Sequence, residues 1–147
     1  MTTAIGQSNG AAALNRIRER IRDADRALVA ALVAAADRTD DAWLRRAAVR
    51  RRIALGREVA VCKFQAAPHR FRALAKSADA AALEGAITDR RVEAVVLARI
   101  RRQVRARGGS PDLARRIAGF YRGRVIPRTK RIQIRWLTRW GRGERPA

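Results

Sequence analysis

Three pairs of polar residues stand at spacings that bring their side chains together on helices. Arg52 and Lys63 are eleven residues apart, and eleven steps of about 100° return close to the starting direction, so both can face one pocket. Asp89 and Glu93 are four apart and share a helical face, as do Thr129 and Gln133. Three helices carrying these pairs can aim polar groups at one interhelical cavity, the usual place for a ligand site in a bundle.

The rest of the composition narrows the chemistry further. Cys62 is the only cysteine and His69 the only histidine. An internal disulfide, a Cys/His zinc site and a Ser-His-Asp or Cys-His centre are therefore excluded. Cys62 reads as a buried small apolar residue and His69 as a loop residue. Lys and Arg total 34 against 13 Asp and Glu, a formal charge of +21. A charge that large attracts anions of every kind, from nucleic acid to small acidic metabolites, without naming one. With 48% apolar and 32% charged residues among 147, the chain belongs with globular proteins and suits one core.

The elements that would position the polar pairs are all helical. Met1–Gly10 is small, polar and glycine-containing, and reads as a flexible leader. Leu14, Ile17, Ile21, Ala24, Leu28 and Leu32 then recur at steps of three and four, the stripe of an amphipathic helix. Asp37–Asp41 either ends this helix and caps the next or forms an exposed turn of one long helix. The pattern resumes at Leu44 and runs to about Phe64, and Pro68 stops it. Ala66–Ala86 reads as a loop holding a short helix from Arg70 to Leu83. Thr88 or Asp89 caps a further helix that ends at Gly108-Gly109, and Ser110-Pro111-Asp112 opens a last one. Ile132, Trp136, Leu137 and Trp140 share a face that suits packing on the core or on a second subunit. The helical domain is thus expected over 11–140, with a disordered tail over 141–147. Met1–Gly10 lacks the pattern of a secretory signal and Ala27–Ala36 is too short to span a bilayer, so a cytoplasmic location without a transmembrane segment is expected.

Read in order, four segments resemble the AroQ class of all-helical chorismate mutases. Leu14-x-x-Ile17-Arg18-x-x-Ile21-x-x-x-Asp25-x-x-Leu28 is similar to that family's opening helix. Arg52-Ile53-Ala54-Leu55 followed by Val59-Ala60-x-x-Lys63 resembles the second half of the same helix. Asp89-x-x-x-Glu93-Ala94-x-Val96-Leu97 resembles the start of the family's second helix, and Val125-Ile126-x-x-Thr129-x-x-x-Gln133 the end of its third. The resemblance implies an all-α, three-helix fold with a long first helix, in an intertwined helical homodimer. It also implies rearrangement of chorismate, a small dicarboxylate, to prephenate without cofactor or metal. Arg18 and Arg52 would hold the two carboxylates, and Lys63 and Gln133 would donate to the ether oxygen. Glu93 and the Asp89 backbone would hold the ring hydroxyl, and Thr129 would line the pocket.

The pattern departs from the family in places. Arg18 and Arg52 are 34 residues apart where family members have about 17, and Ala35 stands at the family spacing. A second extra segment separates Lys63 from Asp89. Val92 precedes Glu93 where Arg is common, and Pro127 falls inside the last helix, where it should kink or restart it. A relative acting on aminodeoxychorismate or isochorismate would use the same fold. The competing reading is a non-catalytic basic helical protein that binds nucleic acid or a partner enzyme. It is disfavoured by the lack of a helix-turn-helix, zinc-finger or RNA-recognition signature and by the scarcity of aromatic residues for base stacking.

Overall fold

The apolar stripe that begins at Leu14 builds the longest element. The computed structural model describes residues 3–36, 42–77 and 79–144, with side chains from residue 11 onward and, in the second stretch, from residue 45. The described elements are α1 (Thr3–Ala36), α2 (Ala42–Ala66), α3 (Pro68–Lys76), α4 (Ala80–Ile87), α5 (Arg90–Ala106), α6 (Pro111–Phe120), a π turn (Tyr121–Val125) and α7 (Ile126–Gly141). The fold is all-α, with no strand among the described residues.

Residues 3–10, read from their glycines as a flexible leader, instead continue α1. Helix nucleation is the costly step, and once Ala11–Ala36 is wound each preceding residue needs only to extend it. Asp37–Asp41 lies outside the described residues, yet its flanks form two helices rather than one long first helix. α2 folds back antiparallel on α1, Arg20 pairing with Glu58 and Asp25 with Arg52. Each helix carries an apolar face, Leu28 and Val29 on α1 and Ala48 and Val49 on α2, and the hairpin buries them in one cluster.

Local chemistry sets the remaining boundaries. Where one short helix in a loop was expected there are two, because Pro68 opens α3 and the Asp79 carboxylate accepts the Ala82 N–H to cap α4. Asp89 caps α5 through the N–H groups of Arg91 and Val92. Gly108 ends that helix at φ +84°, the left-handed region where a Cβ is penalised. The Ser110 hydroxyl caps α6 with Pro111 in its first turn. Pro127 is accommodated by the π turn just before it. The Ile126 N–H reaches the Tyr121 carbonyl, and α7 restarts with Pro127 in its first turn, where a missing N–H costs nothing.

Two apolar clusters result. One joins Leu28 and Val29 to Ile100, Val104, Ile117, Tyr121 and Val125. The other joins Ala60 and Phe64 to Phe71, Leu83, Ile87, Leu137 and Trp140. From the end of the π turn along α7, the buried residues Val125, Thr129, Gln133 and Leu137 follow at intervals of four and share a face. The first belongs to one cluster and the last to the other, so Thr129 and Gln133 form a polar layer between them. Trp140 and Gly141 are buried, so α7 runs one residue into the stretch expected as a disordered tail; Arg142–Glu144 are exposed, with Glu144 paired to Arg139, and residues 145–147 lie outside the described residues. No helix among the described residues is long and apolar enough to cross a membrane.

Gly56 marks the tightest crossing. A Cβ there would stand 2.8 Å from the Thr129 carbonyl oxygen and 3.1 Å from its Cγ2, so α2 and α7 approach closely only because the side chain is absent. Gly119, in α6, is exposed and has nothing within 4 Å of such a Cβ. Gly56→Ala is expected to lower stability by about 1–3 kcal/mol through overpacking. Gly119→Ala should raise it by roughly 0.5–1 kcal/mol through helix propensity. Urea unfolding of both variants checks the opposite signs.

Candidate active site

The polar layer is built from α2, α5 and α7. Lys63 sits in the last turn of α2 and extends its ammonium inward, donating to Gln133 Oε1 at 2.9 Å and to the Ile87 carbonyl oxygen at 3.1 Å. Ile87 ends α4, where carbonyls lack helical partners. Two of the three Lys63 protons are thus engaged, and one remains. Burial is the main cause that holds the Lys63 pKa below the usual 10.5. Lys130 lowers it further and Asp89 opposes both.

Gln133 is buried, and its carbonyl is taken by Lys63 while its NH₂ makes no hydrogen bond among the described residues. Glu93, one turn into α5, pairs with Lys130 of α7 at 2.5 Å, both half-buried. The Asp89 side chain is spent on its own cap, and its carbonyl accepts the Glu93 N–H at 3.0 Å. The Thr129 hydroxyl donates to the Val125 carbonyl at 2.7 Å, which turns its methyl toward Gly56. Lys63, Gln133, Glu93 and the start of α5 therefore converge, and Thr129 forms the wall beneath them.

Arg52 lies about 16 Å farther up α2 at 1.5 Å per residue. Its Nε donates to Asp25 Oδ1 at 2.6 Å, and the Asp25 carboxylate also accepts from Arg99 at 2.7 Å and from the Tyr121 hydroxyl at 2.9 Å. Asp25 and Tyr121 are fully buried, and Arg52 is nearly so. Burial, with the Asp25 charge and hydrogen bond, pushes the Tyr121 phenol well above its usual value, which keeps it a neutral donor. One terminal nitrogen of Arg52 is buried without a partner among the described residues. An uncompensated donor of this kind is costly unless an acceptor arrives to meet it.

Arg18 is exposed on α1 and contacts none of the other predicted residues. Because Arg20 pairs with Glu58, Arg18 nonetheless lies alongside the same end of α2 that carries Lys63. Cys62 is half-buried rather than buried, and its thiol pKa is raised by burial and by Glu58, so it holds no ready thiolate.

Arg99, Tyr121 and Lys130 were not singled out from the sequence, and Asp25 entered only as part of the opening-helix pattern, with no role given to it. Asp25 had a signal, being an acid inside the apolar stripe Ile21–Ala24–Leu28, where burial demands a cationic partner. Arg99 and Lys130 had none, because the chain offers 34 basic residues to choose among.

Two known proteins are similar to part of this chain. A chorismate mutase of Emericella nidulans is 33% identical over 99 residues, covering 61% of this chain and 37% of the relative. A chorismate mutase of Trichoderma parareesei is 33% identical over 101 residues, covering 61% and 38%. The chain thus spans less than two fifths of the length of the curated relatives it matches. No family model and no solved structure matches it.

The Asp25 network gives a direct test. Asp25→Ala leaves two guanidinium groups facing one another without a counter-charge and is expected to cost about 3–5 kcal/mol. Tyr121→Phe removes one hydrogen bond to a charged group and should cost about 1.5–3 kcal/mol. Chemical denaturation measures both, and an Asp25→Ala loss under 1 kcal/mol would contradict the network.

Proposed function

We propose that this chain is an AroQ-class chorismate mutase, rearranging chorismate to prephenate. The observation that carries this reading is the inward-facing Lys63–Gln133 pair, with one ammonium proton and one amide NH₂ uncommitted at the centre of a buried polar layer. The 33% identity to two chorismate mutases supports it.

The reaction breaks one C–O bond and forms one C–C bond within a single molecule, with no leaving group and no proton transfer. The enzyme has only to hold the dicarboxylate in a compact chair and stabilise the negative charge growing on the ether oxygen. In this reading Lys63 and Gln133 donate to that oxygen, where exclusion of water strengthens both bonds. The unpartnered Arg52 nitrogen takes one substrate carboxylate, with Asp25 fixing the guanidinium plane from behind. Glu93 accepts from the ring hydroxyl after exchanging its contact with Lys130.

The second carboxylate falls to Arg18. The α1–α2 hairpin brings this arginine alongside α2 within one chain. On this account a homodimer adds to the assembly without completing the site.

The test follows the disappearance of chorismate and identifies the product. Prephenate is expected, with kcat/KM reduced about 10²–10³-fold in Lys63→Gln and Gln133→Ala. The wild-type rate should fall as pH rises through a pKa below 10.5, because only the protonated ammonium donates. Lys63→Gln should lose that limb. No turnover of chorismate, aminodeoxychorismate or isochorismate by folded protein would overturn the proposal.

A further inference from the structure

The strongest unexplained feature is an arginine-walled groove remote from Lys63. It encloses about 850 Å³ between the start of α2 and the π turn, within the range of small-molecule sites. Arg46 and Arg50 stand one turn apart on α2, facing Arg124 of the π turn and Arg128 of α7. Arg50 is 13 residues before Lys63, or about 20 Å along the helix.

Four properties separate this groove from the generally basic surface. Of the five arginines that line it, Arg46, Arg50, Arg124 and Arg128 are exposed and make no hydrogen bond or ion pair among the described residues, while Arg45 is half-buried and engaged. Elsewhere acids are matched to arginines, as in Arg20–Glu58, Arg26–Asp23, Arg115–Asp112 and Arg139–Glu144. No acidic residue lines the groove among the described residues. Its floor is apolar, formed by Leu32, Val49 and Phe120, each packed against the core cluster and so held in place.

Clustered guanidinium groups repel one another, and a multivalent anion relieves that repulsion. Guanidinium matches phosphate in bidentate geometry. Residues one helical turn apart are separated by about 5–6 Å, which gives each wall two successive anchoring points for linked phosphates. A lone phosphate would leave the apolar floor uncovered. We infer that this groove binds a nucleoside polyphosphate, its phosphate chain between the two arginine pairs and its base on the Phe120 floor. The inference stands independently of the proposed mutase activity.

Calorimetry with ATP and with tripolyphosphate at about 0.15 M salt, where exposed charges are largely screened beyond roughly 8 Å, tests it. ATP is expected to bind more tightly than tripolyphosphate. Arg46→Gln/Arg124→Gln should weaken ATP at least tenfold. Arg101→Gln/Arg102→Gln, which removes the same charge from exposed positions of α5, should change it less than twofold. Equal weakening by both pairs, absence of ATP binding, or equal affinity for tripolyphosphate would overturn the inference. Tighter binding of a single-stranded oligonucleotide through the same arginines would overturn it in favour of nucleic acid.

Discussion

A single buried carboxylate holds four elements in register. Asp25 of α1 accepts from Arg52 of α2, Arg99 of α5 and Tyr121 of the π turn. In a chain of charge +21, two guanidinium groups this close to the core could not coexist without a counter-charge. Burial of the ions is unfavourable by itself, and the short, charge-assisted hydrogen bonds offset it only when all partners are in place. The contact therefore specifies one arrangement of the helices more than it adds to stability.

Much else follows from that constraint. With Arg52 anchored through Nε, its remaining donors are fixed in direction before any ligand arrives. The close approach at Gly56 lets α7 lie against α2, and Thr129 and Gln133 then fall between the two apolar clusters. Gln133 at that depth needs a polar partner, which Lys63 supplies. Under the proposed function, donors oriented in advance in this way suit electrostatic catalysis, since little needs to reorganise as charge moves.

The sequence made some of this legible and hid the rest for physical reasons. Periodic stripes and caps revealed the helices, because Asp89, Gly108 and Ser110 each perform a local task with a local signature. Lys63, Gln133 and Glu93 were found by helical spacing and by resemblance, and they do converge. The fold-back of α2 on α1 was not decided, because the polar residues 37–41 suit an exposed helical turn as well as a break. The helical course of residues 3–10 was missed because glycine content describes intrinsic preference, whereas extension from a formed helix is cooperative. Arg99 and Lys130 were hidden by the abundance of like residues around them. Pro127 announced a disturbance, but the π turn that absorbs it depends on hydrogen bonding that a pattern of residue types does not encode.

The central claim is that the polar layer between the two clusters receives a dicarboxylate in its reactive chair. It is tested most directly by a crystal structure of the chain with a bicyclic dicarboxylate that mimics that transition state. The account predicts a carboxylate on the unpartnered nitrogen of Arg52 and the ether oxygen within hydrogen-bonding distance of Lys63 and Gln133, with the Asp25 network unchanged. An analogue seated elsewhere, with Lys63 and Gln133 still paired only to each other and to Ile87, would contradict it.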